Sequence, residues 1–500
     1  MNANPPRIDP ELIARLREDL RTSRFTVQDV TELLGPLASA ALDREQALPA
    51  QRVTAASTEP CATLIRLFTL GDPVDAAEAQ AALPTLGVDG AIALGLVAQE
   101  GDGVAALVDL RPYAANDSAW WIASDLSELA TGQPLTPDHV LGIGGASTTL
   151  ACWTPRPQVA NALDVGTGCG VQALHLGAHA GAVTVTDLSQ RALGFARFNA
   201  ALNEVSWEVL DGSMLQPVAG RRFDLIVSNP PFVITPQSGA VPRFEYRDAG
   251  ASGDAVVADL VRGIGENLAP GGIAQFLGNW EVPRGSVWTE RVEGWLAGTG
   301  LDAWVVQRET QDPAEYAETW SRDGGHHPGT AEFDAMYAAW LDDFAVRDVE
   351  SIGFGVITLQ QPATEREPFV ELDEVPWPVQ NPMGEAVLAG LRARTWLAEH
   401  DDDAVLDTAW RCGPDVHEER HTMPGAADPT VIILRQGGGL RRHLAMSTVT
   451  AAYASVADGE LTARQAAAAI AGILGLDGSE VAAEIVDFIR DAAKDGLLIS

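Results

Sequence analysis

Apolar residues recur along this chain in two rhythms that change near residue 141. Before that point the spacing is mostly helical. Leu12, Ile13, Leu16 and Leu20 follow Asp9-Pro10 and predict an amphipathic helix, capped by the aspartate and opened by the proline. Gly103–Tyr113 alternates instead and predicts a short strand pair beside those helices. From about residue 141 short apolar runs at Ala162–Val165, Val183–Thr186, Leu225–Val227, Ile273–Leu277 and Trp304–Gln307 alternate with helical patterns. Such alternation predicts a parallel sheet wrapped by helices. A last run, Gly353–Leu359, follows too closely for a long crossover and predicts an antiparallel edge strand. The acidic, proline-rich Thr364–Pro382 reads as a linker. Near the end, two amphipathic helices flank Gly475–Ser479 and an apolar tail follows, a helix-turn-helix texture with a short wing. The expected organisation is therefore an accessory region over 1–140, mainly helical and winged-helix-like, an α/β region over 141–375, and a winged-helix-like region over 376–500.

Composition supports several packed cores. The 500 residues are 46% apolar and 20% charged, as in globular proteins. The formal net charge is -36, and none of the three regions is basic, which disfavours a general nucleic-acid binder. Cys61, Cys152, Cys169 and Cys412 are scattered without a CxxC spacing, which suits reduced thiols better than disulfides or a zinc site. Met1–Leu12 is polar and proline-containing, unlike a signal peptide, and no apolar run nears the ~20 residues of a membrane span. A cytoplasmic protein with no metal and no membrane partner is expected. His326-His327 reads as a solvated loop, Trp120-Trp121 as a core or interdomain contact, and Asp401–Asp403 as an acidic turn flanking a helix.

Four short motifs carry the chemistry. The run Leu163-Asp164-Val165-Gly166-Thr167-Gly168-Cys169-Gly170 takes a strand through GxGxG into a helical stretch. Glycines there let backbone approach a ligand closely, although any tight strand-to-helix turn uses them too. Seventeen residues beyond Gly170, Asp187 ends the run Val183-Thr184-Val185-Thr186 and precedes Leu188. A carboxylate so placed can accept both hydroxyls of an adenosine ribose, and Asp187 or Ser189 can equally cap the next helix. Asp211-Gly212-Ser213 closes a third strand where groups could touch an adenine edge. Last, Phe223–Val227 leads into Ser228-Asn229-Pro230-Pro231-Phe232. All four motifs fall at the C-terminal ends of successive strands, where such sheets bind ligands.

In this order and spacing, residues of roughly 145–360 resemble a class I S-adenosylmethionine-dependent methyltransferase of the "small-domain" group marked by Asn-Pro-Pro-aromatic. The resemblance implies a Rossmann-like sheet of seven strands, the last antiparallel. It also implies that Asp164, Gly166, Thr167, Gly168 and Gly170 line the methionine side of S-adenosyl-L-methionine. Asp187 and Leu188 would then hold the ribose side, and Asp211, Gly212 and Ser213 would lie near the adenine. Ala146–Leu150 resembles the segment that covers the cofactor, and an ordinary capped helix start reads the same way.

The Asn-Pro-Pro-Phe element has its own logic. Methyl transfer is an in-line displacement, so the accepting nitrogen must aim its lone pair, which conjugation to a carbonyl or ring delocalises. The side-chain carbonyl of Asn229 can accept the nitrogen's N–H groups and hold it in place, while Pro230 and Pro231 stiffen the backbone and Phe232 offers a face to something flat. The extended string Asn229–Pro236 is similar to that of methyltransferases of a glutamine side-chain amide in release factors, with Phe232 standing where they carry tyrosine. The following segment, Phe244–Leu277, resembles their Gly/Asp loop, helix and strand. The acidic composition favours a protein or peptide substrate. An amino group of guanine or adenine in RNA is the alternative enzyme substrate, and a peptide-binding scaffold that keeps a cofactor fold is the non-enzyme alternative. The whole chain is similar to an uncharacterised family of actinobacterial methyltransferases.

Overall fold

A computed structural model describes every residue except 1–3, 237–243, 246, 249–252, 324, 325 and 327. Backbone contacts group the chain into two compact units. The first comprises Met1–Thr148, Gln158–Ala297 and Glu309–Gly355, and the second Thr149–Pro157, Gly298–Arg308 and Val356–Ser500.

The first unit begins with the expected capped helix, Pro10–Thr22, whose first-turn amides of Glu11 and Leu12 donate to the Asp9 carboxylate. Ile13, Leu16 and Leu20 turn inward and are at most 1% exposed. Helices Val27–Leu42, Leu48–Ala55, Pro60–Leu64, Ala76–Ala82 and Gly87–Leu94 follow. Three short strands, β1 (Val74–Asp75), β2 (Val97–Glu100) and β3 (Gly103–Ala106), form an antiparallel sheet. The hairpin of β4 (Asp109–Ala115) and β5 (Ser118–Ser124) stands beside it. One core joins these elements to the helix Gln190–Leu202, with Leu64, Phe68, Phe195 and Phe198 all fully buried. The sequence stretch read as a separate accessory region thus shares its core with the helices Val171–Leu176 and Gln190–Leu202 of the α/β region. Trp120 stacks on Tyr113 at 5.8 Å between ring centroids, and Trp121 donates its indole N–H to the Phe25 carbonyl at 2.7 Å, so both tryptophans serve packing.

The sheet strands are β6 (Val159–Val165), β7 (Ala180–Asp187), β8 (Glu208–Asp211), β9 (Phe223–Ser228), β10 (Leu268–Pro283), β11 (Asp302–Gln311), β12 (Val349–Gln360) and β13 (Val370–Glu374). Within the first unit the order is β12-β10-β9-β6-β7-β8. Parallel pairing sets Val165 against both Thr186 and Ser228, and Asp187 against Asp211. The loops after β6, β7, β8 and β9 therefore leave the sheet at one edge and one level. That register converts motifs scattered over some sixty positions of sequence into neighbours.

The second unit holds β13 parallel to β11, with Ala303 opposite Val370 and Gln307 opposite Glu374. Eight strands thus stand where seven were expected, because Val370–Glu374, which the sequence reads as linker, is extended and paired. The acidic residues and flanking prolines of Thr364–Pro382 masked the apolar-acidic alternation of a strand whose partly buried Asp373 accepts the Trp304 indole N–H at 2.9 Å. Further on come helices Gly384–Glu399 and Asp402–Asp407, the latter capped by Asp401, then β14 (Arg411–Cys412), β15 (Val416–His421), β16 (Val431–Gln436) and β17 (His443–Met446). Helices Ala463–Leu474 and Gly478–Lys494 are separated by Gly475 at φ 66°, and β18 (Leu498–Ile499) closes against β14.

Candidate active site

The glycine turn between β6 and the helix Val171–Leu176 is left-handed at all three glycines, with φ of 69° at Gly166, 57° at Gly168 and 93° at Gly170. Side chains rarely adopt that conformation, which explains the residue choice. A Cβ on Gly166 or Gly168 would meet nothing within 4 Å, so their backbone lies open, whereas one on Gly170 would strike the Trp207 ring at 2.7 Å. The first two glycines bare a surface, and the third makes room for packing.

Two carboxylates hold the turn. Asp164 is 1% exposed, and its Oδ2 accepts the Thr167 hydroxyl at 2.6 Å and the Ala173 amide at 3.1 Å. Its Oδ1 is buried without a partner among the described residues. Burial, reinforced by the nearby Asp187 charge and opposed by the two hydrogen bonds, pushes this carboxyl up to about 7. Asp187 accepts the Gly168 amide at 2.9 Å through one oxygen and the Ser189 amide at 2.8 Å through the other. It therefore braces the turn and the following helix start together, and burial raises its pKa as well. Asn199, fully buried on the helix Gln190–Leu202, donates to the Cys169 carbonyl at 2.8 Å and exchanges hydrogen bonds with Ala123 of β5.

A cavity of about 1360 Å³ opens over this edge of the sheet. It exceeds the ~300–1,000 Å³ usual for one ligand, leaving room for a cofactor and a second substrate. Gly166, Thr167, Gly168, Asp187, Leu188, Ser213, Asn229, Pro230, Pro231 and Phe232 all line it. Asp164 and Gly170 are not in its wall, and neither are Asp211, which is exposed, and Gly212, which packs against Pro217. Ala146, Ser147 and Thr148, at the start of the helix Gly145–Trp153, contribute another part of the wall.

Asn229 follows the last residue of β9, and its Oδ1 is buried with no hydrogen-bond partner among the described residues. A buried acceptor left unmade costs roughly 1–3 kcal/mol, so its retention points to a donor that arrives with a ligand. Beyond it the chain is pinned. Ser228 donates its hydroxyl to the Val165 carbonyl at 2.8 Å, and the Tyr316 hydroxyl accepts the Ile234 amide at 3.0 Å and the Asn279 side chain at 2.6 Å. Phe232 meets Phe354 at 5.6 Å and Trp320 at 6.2 Å between centroids, giving the cavity an aromatic flank.

Several lining residues escape a sequence reading. Asp109, Arg111, Asp125 and His139 come from the N-terminal region, and Glu245, Arg247, Trp320 and Asp323 from beyond the Asn-Pro-Pro-Phe element. Burial, the largest influence on His139, favours its neutral form. Nothing in the local pattern around these residues marks them, since only folding brings them to the strand ends. His326 lies in the described structure, and His327 lies outside it. Among the described residues no three histidine, cysteine, aspartate or glutamate side chains are grouped to hold a metal ion, and no helix is long and apolar enough to cross a membrane.

Two family models match the chain. Residues 143–244 match the methyltransferase small domain, and residues 22–107 match a domain of unknown function (DUF7059). A release factor glutamine methyltransferase of Deinococcus radiodurans is 42% identical over 125 residues, covering 23% of this chain and 44% of that protein. A ribosomal protein uL3 glutamine methyltransferase of Xanthomonas campestris is 32% identical over 130 residues, covering 24% and 42%. A ribosomal RNA small subunit methyltransferase C of an Enterobacter species is 30% identical over 141 residues, covering 28% and 36%. The chain thus spans less than half the length of these relatives. These matches show that the chain carries a class I S-adenosylmethionine-dependent methyltransferase domain, similar to that of the release factor glutamine methyltransferases.

Proposed function

We propose that this protein transfers a methyl group from S-adenosyl-L-methionine to a planar nitrogen, and that its substrate is the side-chain amide of a glutamine in a protein. The observation that carries the reading is the buried, unpartnered Oδ1 of Asn229 in a residue that lines the cavity. S-Adenosylmethionine, when bound, supplies an electrophilic methyl group. Gly166, Thr167 and Gly168 offer backbone to its methionine side, with Asp164 and Gly170 holding the turn from behind. Asp187 and Leu188 take the ribose side and Ser213 the adenine side, with Asp211 and Gly212 shaping the strand end beneath.

Asn229 accepts an N–H of the incoming amide and so fixes the nitrogen's direction. Pro230 and Pro231 keep that acceptor from swinging away, because a fixed φ removes backbone freedom next to it. Phe232 presents a ring to the flat amide. The methylated nitrogen loses its proton to water after transfer, so no strong base is called for.

The net charge of -36 and the named activities of two of the three relatives described above support a protein substrate. The third relative's name, that of a ribosomal RNA methyltransferase, supports a guanine or adenine amino group in RNA as the second reading. Under either reading 1–140, 141–375 and 376–500 act as accessory, catalytic and C-terminal winged-helix-like domains of a cytoplasmic enzyme. Incubating a cell lysate with methyl-labelled cofactor and the protein separates the two. Label that survives RNase and is released by protease is expected, and RNase-sensitive label overturns the glutamine assignment.

A further inference from the structure

Arg247 is 2% exposed, lines the same cavity as Asn229 and Phe232, and is tied to them through backbone. The Val233 amide donates to the Arg247 carbonyl at 3.2 Å, and Phe232 pairs with Asp248 in an isolated antiparallel bridge. Paired residues of this kind lie about 5 Å apart, so the arginine is a near neighbour of the Asn-Pro-Pro-Phe element.

Its guanidinium is clamped. Nη1 donates to the Trp320 carbonyl and to Asp323, both at 3.0 Å, Nε reaches Asp248 at 3.3 Å, and the group lies 4.5 Å from the centroid of the Phe244 ring. Asp248 is itself fixed by the Thr235 hydroxyl and by the Phe244 amide at 2.8 Å. Nη2 alone is buried with no hydrogen-bond partner among the described residues. A buried guanidinium normally satisfies its fork of donors, and leaving one unmade is costly. Two residues that line one cavity thus carry unpartnered groups of opposite sense, an acceptor on Asn229 and a donor on Arg247.

We infer that Arg247 recognises the substrate by donating Nη2–H to the carbonyl oxygen on the carbon that bears the methylated nitrogen. The inference rests on the glutamine reading above. A primary amide presents N–H donors and a carbonyl acceptor on one carbon, matching this pair of opposite groups. Local charge favours such a neutral acceptor over a phosphate or carboxylate, because Asp248 and Asp323 already offset the single positive charge of the arginine and Glu245 also lines the cavity. Donation to the carbonyl draws the nitrogen lone pair further into amide resonance, so this contact binds and orients without activating. Its loss falls on KM more than on kcat.

The test uses the full chain and a synthetic peptide that carries, unmethylated, the glutamine at which the lysate protein takes up label, beside the same peptide with a thioamide in place of the side-chain amide. Sulfur is the poorer acceptor, so the wild type prefers the amide. In R247K, which keeps the positive charge for Asp248 and Asp323, KM for the amide rises about tenfold or more with kcat changed little, and the preference for amide over thioamide shrinks by a similar factor. A purely structural role lowers both substrates alike, and an unchanged amide-to-thioamide ratio overturns the inference. A measurement on the wild type alone guards against a misfolded variant. The 13C resonance of the glutamine side-chain carbonyl, observed with S-adenosylhomocysteine present, moves downfield when the peptide binds, and an unmoved resonance also overturns it. Failure of the wild type to methylate the peptide at all instead overturns the glutamine reading on which the inference depends.

Discussion

At the scale of single residues, the site separates groups that hold the turn from groups left waiting. Asn229 is of the second kind. On the proposed function its acceptor serves the substrate, so Asn229→Ala should abolish transfer while calorimetry finds cofactor affinity within about tenfold of wild type. Loss of cofactor binding would reassign the residue to the cofactor. Asp164 is of the first kind and predicts a pH effect. Its carboxyl is raised by burial from 3.8 to about 7, so between those values the folded protein keeps a proton that the unfolded chain has lost. The stability it contributes is therefore greatest below about pH 4, falls as pH rises by up to about 1.4 kcal/mol per unit, and is fully lost above about 7. Asp164→Asn cannot ionise, so its melting temperature relative to wild type should climb between pH 5 and 8, and parallel profiles would contradict the raised pKa. The sequence made both residues visible because each sits in a short motif of distinctive residue types. Arg247 and Asn199 stayed hidden, since their partners lie far along the chain and only tertiary contact gives them meaning.

At the scale of elements, the three glycines of one turn differ in what they protect. Gly170→Ala must place a methyl group where the Trp207 ring stands, in addition to the left-handed backbone strain of roughly 1–2 kcal/mol shared by all three. Gly168→Ala meets only the strain, because its surroundings are open. Thermal unfolding should therefore show Gly170→Ala to be the less stable variant, while cofactor titration shows Gly168→Ala to lose more affinity per degree of melting temperature lost. Equal stability of the two would mean that Trp207 yields freely. Periodicity read most strands of the sheet well, since β6, β7, β9 and β10 are apolar runs buried on both faces. It failed on β13, whose acidic residues are accommodated by Arg394 and Trp304: Glu371 pairs with Arg394 at 2.8 Å, and the Arg394 guanidinium in turn lies 3.8 Å from the centroid of the Trp304 ring.

At the scale of the whole molecule, sequence texture and compactness divide the chain differently. Composition suggests a break near residue 375, yet the second unit gathers Thr149–Pro157, Gly298–Arg308 and the strand Val370–Glu374 around the C-terminal helices. Arg394, only 3% exposed, binds Glu371 as well as the Lys494 carbonyl at 2.5 Å, and the Met383 amide donates to the Cys152 carbonyl at 2.7 Å. The C-terminal core of Val405, Ile485, Ile489 and Leu497 is complete within 376–500, so a fragment of those residues retains helices. It also leaves the Arg394 guanidinium without Glu371 and without the Trp304 ring, while Asp495 at 3.3 Å and the Lys494 carbonyl stay with it, so the loss is smaller than the about 3–5 kcal/mol of a buried charge left with no partner. A fragment of residues 376–500 should accordingly show helical circular dichroism but melt well below the same region in the full chain, as followed by hydrogen exchange of the helix Gly478–Lys494. Equal protection in fragment and full chain would show that the texture boundary, and not the compact unit, is the true limit of cooperative folding.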